Sequence, residues 1–438
     1  MAKAVDVMDV LRARDRRAQR QQELLARYEV PLLSFTMNIA GPVKRTDLID
    51  RGFDLALQRL EQQLRACRAA VLHRETLREA TGCEALYAVD RPARQLKALC
   101  VALEEVDELG RLLDLDVLDR DGGKLEREQE RGCLICGSVG KGCARSRAHS
   151  VEEVQQRTEE ILRRTLDREE HTRIGELACR ALLYEACTAP KPGLVDRLGS
   201  GSHADMDLFT FMAGAAALQP YFARCAAIGQ ETASLPPRET FAALRHTGRL
   251  AEGEMLRSTG GVNTHKGAVF AVGLVCAALG RRSGLRHDTD EILQECAAMA
   301  AGVTAELQGV SGTAGERFYR DYGLRGVRGE AEDGFPSVER AGLPALERAL
   351  ACGKSPEQAG CEALLALMAV CEDTALMNRV GRDGWQEIKH QAAQLLAQGA
   401  TREALEQFDR ELTAQNASPG GSADLLAICW LLHWLKEE

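Results

Sequence analysis

The chain has 438 residues, 45% hydrophobic and only 4% aromatic, so it is long enough for two or more domains with cores of mainly Leu, Ala and Val. Its net charge of −9 argues against a protein that binds nucleic acid or an anionic membrane, because such proteins carry a basic excess. The fifteen cysteines are scattered through apolar helical patterns, and no apolar run is long enough to span a membrane. The sequence therefore predicts a cytoplasmic protein with reduced thiols.

The first third of the chain mixes helix and strand signals. Residues 3–28 have helical spacing, and the β-rich run 32–39 predicts a buried strand closed by a Gly-Pro turn. The segment 110–123, GRLLDLDVLDRDGG, predicts another strand that ends in an Asp-Gly-Gly turn. We expect an α/β domain with a mixed sheet over residues 1–160.

Strand signals nearly vanish after Val151, and long Ala/Leu segments predict a larger all-α domain over residues 168–438. Five loops between these segments mix glycine with charged or amide residues, which is more than a helix bundle needs in order to turn. Binding and catalytic residues favour loops of this kind. The loops cover residues 188–207, 258–267, 327–337, 373–384 and 416–424.

The pair Asp114 and Asp116 is the main candidate site of the first domain. Residues two apart on a strand point to the same face, and two carboxylates there suit a divalent metal that clamps a phosphoryl group. Arg111, just before them, has the geometry to hold a phosphate bidentately. The alternative is a solvated strand face on which acids alternate with leucines. The residues alone slightly favour this solvated face over a metal site.

The segment GCLICGSVGKGCARSRAH offers four zinc ligands in Cys133, Cys136, Cys143 and His149. Its C-x2-C half is typical of zinc sites, but the second half lacks the usual close pairing, so zinc is the weaker alternative here. The glycines of residues 137–142 imitate a phosphate-binding loop but do not have the spacing that a P-loop requires.

In the helical domain, Ser202 and Asp205 form a capping pattern that predicts a helix start and leaves His203 unexplained. Gly260 and Gly261 permit close approach of backbone to a ligand, and a helix start with a lysine attracts anions. The alternative for that loop is a simple turn capped by Thr264. The candidate residues of the helical loops are Lys191, His203, Asp205, Gly260, Gly261, Asn263, His265, Lys266, Asp373, Asn378, Arg379, Gly420, Gly421, Ser422 and Asp424.

Several of these segments together resemble the triphosphoribosyl-dephospho-CoA synthase family. They are EACTAPKPGLVDRLGSGSHADMD, STGGVNTHKGAVFAVGL, RGEAEDGF, DTALMNR and SPGGSADLLA, in the family's order. The segments PLLSFTMNIAGPVK, LEEVDELGRLLDLDV and CLICGSVGKGCARSRAHS are similar to the apo-citrate lyase phosphoribosyl-dephospho-CoA transferase (holo-citrate lyase synthase) family. The whole chain thus resembles a bifunctional fusion.

The resemblance implies that the helical domain joins ATP to 3′-dephospho-CoA and releases adenine. It implies that the first domain, with a nucleotidyltransferase-like fold, transfers the product to a serine of the acyl carrier (γ) subunit of citrate lyase and releases pyrophosphate. Mg²⁺ is expected in both domains. Three alternatives remain, namely a metal-dependent nucleotide hydrolase, a helical scaffold that binds a partner, and the same pathway serving a malonate decarboxylase carrier.

The resemblance also suggests roles for the candidate residues. Acid/base or metal-binding roles fall to Asp205, Asp373 and Asp424, proton transfer or substrate contacts to His203 and His265, and phosphate contacts to Lys191, Lys266 and Arg379. In the first domain, Asp114 and Asp116 become the expected Mg²⁺ ligands. The expected pyrophosphate or CoA-phosphate contacts are Arg111, Lys44, Arg145 and Arg147.

Overall fold

The computed structural model describes residues 3–138, 143, 146, 148–283, 288–309 and 314–437. Its contacts divide the chain into two units, Met1–Arg168 and Glu169–Glu438. The first unit combines a small sheet with helices and the second is helical, which confirms the predicted fold class. The sheet is antiparallel throughout, where a mixed sheet was expected.

The first unit is a four-stranded sheet in the order β2-β3-β1-β4 with helices on both faces. On one face, α2 and α3 cover a core in which Phe35 and Phe53 stack with ring centroids 4.6 Å apart. On the other face, Leu24 and Leu25 of α1 pack near Leu32. The elements are α1 (Val7–Tyr28), β1 (Leu32–Met37), α2 (Asp47–Ala66), β2 (Ala70–Glu79), β3 (Gly82–Asp90), α3 (Ala93–Glu105) and β4 (Leu113–Leu118).

Twelve α-helices follow in the described chain, and the boundary between the units falls inside the first of them. They are α4 (Val151–Cys187), α5 (Leu208–Glu231), α6 (Pro237–Ser258), α7 (Lys266–Arg281), α8 (Thr289–Ala300), α9 (Ala314–Tyr322), α10 (Gly326–Glu332), α11 (Leu343–Ala351), α12 (Pro356–Met368), α13 (Thr374–Ala397), α14 (Arg402–Ala414) and α15 (Gly420–Glu437). Helix α13 is interrupted at Gly381, whose backbone is not helical.

Helix α7 lies at the centre of the helical unit, and its side chains from Ala268 to Leu279 are almost all buried. It approaches α5 so closely that a Cβ atom on Gly280 would lie 1.8 Å from the carbonyl oxygen of Ala226. Small residues at this crossing fix α7 against its neighbour, and the position of its first turn is fixed with it.

All fifteen cysteines are free thiols in the structure. Among the described residues, no helix is both long and apolar enough to cross a membrane.

Candidate active site

The five polar segments that were predicted as loops all line one cavity of about 380 Å³. Two of them are partly helical in the structure, because residues 327–332 belong to α10 and residues 374–384 to α13. Each loop contributes lining residues, for example Lys191, Asn263, Glu330, Thr374 and Asp424. The volume lies within the range of about 300–1,000 Å³ that is common for small-molecule sites. The loops that sequence reasoning singled out are therefore parts of one site.

Three helices begin at this cavity. Lys266 and Gly267 open α7, Thr374 opens α13, and Gly420 and Gly421 open α15, and all five residues line the cavity. Free backbone N–H groups and the positive end of the helix dipole make each such start attractive to anions. Three of them around one cavity favour a ligand with several negative charges.

A buried ion pair forms part of the cavity wall. The side chain of Lys191 is only 1% exposed, and its Nζ donates a hydrogen bond to Glu185 on α4. The backbone N–H of Lys191 donates to Asp196 Oδ2 over 2.8 Å, which fixes the loop around it. Burial raises the pKa of Glu185, and the ammonium of Lys191 opposes this rise. Glu185 was not among the predicted site residues.

Asp424, in the first turns of α15, is the candidate acid with the most altered ionisation. Burial raises its pKa well above the usual range, and the carboxylates of Glu185 and Asp373 raise it further. Helix α7 passes directly beside it, because a Cβ atom on Gly267 would lie 1.8 Å from Asp424 Oδ2. Only glycine at position 267 leaves room for this carboxyl group.

The variant Gly267→Ala is therefore expected to displace the Asp424 carboxyl group. A displacement of about 1 Å at a reacting group can cost about 100-fold in rate, so we expect a loss of that order in the adenine release that the resemblance implies for this unit. The matched control is Gly253→Ala on α6, where an added Cβ atom meets nothing within 4 Å, and its activity should stay at the wild-type level. Adenine is measured by chromatography, and equal rates for both variants would show that the close contact is unimportant.

His265 is buried at the start of α7, with 3% of its surface exposed. Its Nδ1 pairs with Thr264 Oγ1 over 2.8 Å, and its buried Nε2 has no hydrogen-bond partner among the described residues. Burial, with a further contribution from Lys191, lowers the pKa of His265 to about 3. The imidazole is therefore neutral at physiological pH, and its Nε2 is available to a ligand in the cavity.

The lowered pKa of His265 predicts a specific acid sensitivity. Between pH 6.5 and about 3 the unfolded chain binds a proton at this histidine that the folded chain does not, so the stability falls as the pH falls. From pH 7 to pH 5 we expect the wild type to lose about 2 kcal/mol more unfolding free energy than His265→Gln. Urea denaturation at both pH values measures this difference. The exposed His246 gives the control variant His246→Gln, which should keep the wild-type loss.

His203 and Arg379 lie together on another part of the cavity wall. His203 Nε2 is 2.9 Å from Ser418 Oγ, and Arg379 Nη2 is 3.4 Å from His203 Nδ1. Arg379 Nη1 donates to Asn416 Oδ1 over 2.9 Å, so the guanidinium is held in place. Burial lowers the pKa of His203, and the charge of Arg379 lowers it further. These contacts join three segments that are far apart in sequence.

The predicted capping pattern of Ser202 and Asp205 is wrong. Helix α5 begins later, and its N-cap is Asp207, which forms a capping box with Thr210. Ser202 instead donates its hydroxyl to the carbonyl oxygen of Ala417 over 2.5 Å. The pattern is too short and common to fix a helix start when a stronger cap lies nearby.

Asp373 lines the cavity, but hydrogen bonds at two helix starts occupy both of its oxygens. Oδ1 accepts from Leu376 N over 2.9 Å as the cap of α13, and Oδ2 accepts from the N–H and hydroxyl of Ser422 over 2.9 and 3.0 Å. Asp373 therefore positions the starts of α13 and α15. Ser422 is fully buried behind the wall.

Besides Ser422, four predicted residues lie outside the lining. The side chain of Asp205 is 65% exposed, and the exposed Asn378 accepts a hydrogen bond from Arg317 over 3.1 Å. Gly260 and Gly261 have φ angles of +67° and +92° and form the turn after α6. The two consecutive glycines do form the turn that their conformational freedom predicts, but this turn does not line the cavity.

Lys266 and Asn263 line the cavity from its exposed side. Lys266 Nζ lies 3.2 Å from Glu252 and its side chain is 63% exposed. Asn263 Oδ1 accepts from the backbone N–H of Lys266 over 3.1 Å. The N-cap position of α7 is His265, which makes no side-chain capping hydrogen bond, so the N-cap at Thr264 of the simple-turn alternative is wrong.

In the first unit, Asp114 and Asp116 lie on one face of β4, as their spacing predicts. They stand opposite Thr36 and Ser34 of β1, on the face that carries α1. Asp116 pairs with Lys124 over 2.7 Å. The two carboxylates are therefore presented together on a surface of the sheet.

The basic residues predicted near this pair have other contacts. Arg111 Nη2 donates to the carbonyl oxygens of Gly132 and Cys133 over 2.7 and 3.3 Å. Lys44 donates to the carbonyl oxygen of Ile39, and burial lowers its pKa. Arg145 and Arg147 lie outside the described residues.

Comparison with known proteins assigns the two parts of the chain to two different families. Residues 171–438 match the family described as ATP:dephospho-CoA triphosphoribosyl transferase, and residues 5–165 match apo-citrate lyase phosphoribosyl-dephospho-CoA transferase. Protein CitXG of Haemophilus influenzae is 38% identical over 96% of this chain and 94% of its own length. The 2-(5″-triphosphoribosyl)-3′-dephosphocoenzyme-A synthases of Pectobacterium atrosepticum and Haemophilus ducreyi are 43% and 40% identical over 60% and 67% of this chain.

The chain is therefore an enzyme built from two transferase regions. It belongs to the ATP:dephospho-CoA triphosphoribosyl transferase family and carries in front of that region one of the apo-citrate lyase phosphoribosyl-dephospho-CoA transferase family. The resemblance noted in the sequence is confirmed.

Proposed function

We propose that the helical unit converts ATP and 3′-dephospho-CoA to triphosphoribosyl-dephospho-CoA and adenine. We propose that the first unit then transfers the phosphoribosyl-dephospho-CoA part to a serine of the acyl carrier (γ) subunit of citrate lyase, with release of pyrophosphate. The observation that carries the proposal is the convergence of all five family-like segments on one cavity with three helix starts and buried acids. Transfer to a citrate lyase carrier rests on the family of residues 5–165.

In the first reaction a ribose hydroxyl of dephospho-CoA bonds to C1 of the ATP ribose while the bond from C1 to adenine breaks. The hydroxyl must lose a proton and the departing adenine must gain one, so an acid/base group close to both is needed. The raised pKa of Asp424 suits it to hold and pass a proton near neutral pH. We assign this proton transfer to Asp424.

The triphosphate of ATP stays intact in this reaction, so the site needs to hold it rather than to cleave it. The starts of α7, α13 and α15 supply N–H donors, and Arg379 and Lys266 supply charge at the same cavity. The buried Lys191 places a further cation beside Glu185. We assign triphosphate binding to these groups.

The neutral His265 has a different role from these cations. Its buried Nε2, in the cavity wall, makes no hydrogen bond to any residue that the structure describes, and a neutral imidazole does not need a counter-ion. We assign it a hydrogen bond to an uncharged group of the nucleotide, such as a ribose hydroxyl or a ring nitrogen.

Mg²⁺ is a proposed cofactor of both reactions. It usually binds proteins through one or two carboxylates and completes its shell with phosphates and water, and Asp114 and Asp116 on one strand face fit this pattern. Further carboxylates, Glu330 and Glu372 among them, line the cavity of the helical unit. Bound Mg²⁺ would neutralise phosphate charge.

The second reaction forms a bond between a carrier serine oxygen and the phosphorus nearest the ribose, while the bond to pyrophosphate breaks. The Asp114 and Asp116 carboxylates would hold the metal ion at the attacked phosphate, and the exposed face of β4 leaves the pair accessible to a protein substrate. The serine proton leaves with solvent or a nearby carboxylate.

Mass spectrometry of the intact carrier tests the whole proposal. The chain, ATP and dephospho-CoA are incubated with the apo-carrier of citrate lyase or of malonate decarboxylase. We expect the citrate lyase carrier to gain the mass of phosphoribosyl-dephospho-CoA only when both small substrates are present. Modification of the malonate decarboxylase carrier alone would show that the protein serves that carrier instead of the citrate lyase carrier. Hydrolysis of ATP without dephospho-CoA and without carrier modification would point to a nucleotide hydrolase instead.

A further inference from the structure

The segment after β4 brings four zinc-binding side chains into one group. One ligand atom from each of Cys133, Cys136, Cys143 and His149 lies within 4.8 Å of all the others. The Sγ atoms of Cys136 and Cys143 are 3.5 Å apart. Thiolates bound tetrahedrally to zinc at about 2.3 Å lie ~3.8 Å from each other, so the group already has nearly the required size.

The histidine of this group has one ring nitrogen that no described residue satisfies. The Nε2 atom of His149 is buried and has no hydrogen-bond partner among the described residues. Buried polar atoms in proteins are nearly always paired, and an exception calls for an explanation such as an ion. One ring nitrogen of His149 also lies within 4.8 Å of the three sulfur atoms, which places the ring to act as the fourth ligand of a metal ion.

The backbone around the first two cysteines has the tight turn that such a site needs. Cys133 N donates to the carbonyl oxygen of Ser138 over 2.5 Å, and Gly137 N donates to that of Cys133 over 3.0 Å. Gly137 has a φ of +73°, and a Cβ atom on Gly132 would lie 2.4 Å from the carbonyl oxygen of Gly137. Glycines thus allow the chain to fold back on itself at the C-x2-C pair.

The turn is fastened to the strand that carries the aspartate pair. Arg111 donates to the carbonyl oxygens of Gly132 and Cys133, and Arg131 donates to that of Leu113 at the start of β4. Arg131 also pairs with the buried Glu104 of α3, whose Oε1 accepts from Leu115 N over 2.9 Å. An interaction that holds this turn in place therefore also supports β4 at Asp114 and Asp116.

We propose that Cys133, Cys136, Cys143 and His149 bind one structural zinc ion, which holds the segment after β4 against this strand. Four protein ligands fill a tetrahedral shell, so the site is closed and structural rather than catalytic. The spacing alone did not favour zinc because Cys143 and His149 do not form a close pair in sequence. The fold brings both of them to the C-x2-C turn.

Metal analysis of the full chain tests this proposal independently of either transfer reaction. The protein is purified without a histidine tag or chelator, and its metals are measured by plasma mass spectrometry. We expect about one zinc per chain for the wild type and a loss of at least about tenfold in Cys136→Ser and Cys143→Ser. The controls Cys187→Ser and Cys352→Ser change exposed cysteines of the helical unit and should keep the zinc. Retention of zinc by both ligand variants would overturn the proposal.

Cobalt substitution of the wild type distinguishes a true site from misfolding of the variants. We expect stoichiometric Co²⁺ to give the strong visible absorption of tetrahedral thiolate coordination and to be displaced by zinc. Wild-type protein without zinc that also fails to bind Co²⁺ after reduction would overturn the proposal. A Cys136–Cys143 disulfide in freshly isolated protein, with no metal bound after reduction, would do so as well and would point to a redox pair.

Discussion

The Asp424→Asn variant is expected to release adenine from ATP and 3′-dephospho-CoA about 100- to 10,000-fold more slowly than the wild type. Asparagine has nearly the same shape as aspartate, so it fits beside Gly267 and leaves the packing of α7 and α15 unchanged. It cannot accept or donate a proton as a carboxyl group does. Burial and two neighbouring carboxylates raise the pKa of Asp424. Removal of this acid should therefore also abolish the part of the pH–rate profile that follows the protonation of Asp424.

Two controls separate a chemical effect from a structural one. Asp205→Asn changes an exposed acid that lies outside the cavity lining and should retain adenine release near the wild-type rate. Transfer of preformed triphosphoribosyl-dephospho-CoA to the carrier should be unaffected in Asp424→Asn. An adenine rate within a few-fold of the wild type would exclude Asp424 as the acid/base group.

The double variant Asp114→Ala, Asp116→Ala is expected to show the opposite defect. Carrier modification should fall by at least about 1,000-fold, equivalent to ~4 kcal/mol of transition-state stabilisation, because the two carboxylates that we propose to hold a metal ion are gone. Adenine release should continue, since its cavity belongs to the helical unit. Carrier mass is followed by mass spectrometry with preformed triphosphoribosyl-dephospho-CoA as donor.

The matched control for this variant is Asp90→Ala, which removes an exposed aspartate at the end of β3. It should modify the carrier normally. If the double variant kept its transfer activity, the assignment of the metal site to β4 would be wrong. If both activities were lost together, the substitution would have damaged the fold rather than the site.

Local spacing predicted the parts of the molecule that depend on neighbours in sequence. Alternation in LDLDV placed Asp114 and Asp116 on one face of β4, and glycine-rich loops between helices marked the cavity wall. The loop predicted over 373–384 is wrong for most of its length, because Asp373 caps a helix that begins at Thr374. Strand β2 was missed because most of its residues are exposed and polar, so it lacks the apolar alternation of a half-buried strand.

The features that the sequence did not reveal depend on contacts between distant segments. In sequence, Glu185 is indistinguishable from an ordinary acidic residue of a helix. Only the structure shows that it lies in the interior against Lys191. The role of Asp373 as a cap for two helices requires Ser422, which is 49 residues away. Gly267 is a plain helical glycine in sequence, and only the crossing with α15 shows why a larger residue would not fit. Burial and pKa follow from such contacts.

Product stoichiometry in the helical reaction tests the central claim most directly. The purified chain is incubated with ATP, with 3′-dephospho-CoA, and with both, and adenine and all nucleotide products are quantified by liquid chromatography and mass spectrometry. The account predicts that adenine and triphosphoribosyl-dephospho-CoA appear in equal amounts, only when both substrates are present, and that no phosphate is released. Adenine or phosphate formed from ATP alone, without the joined product, would contradict it.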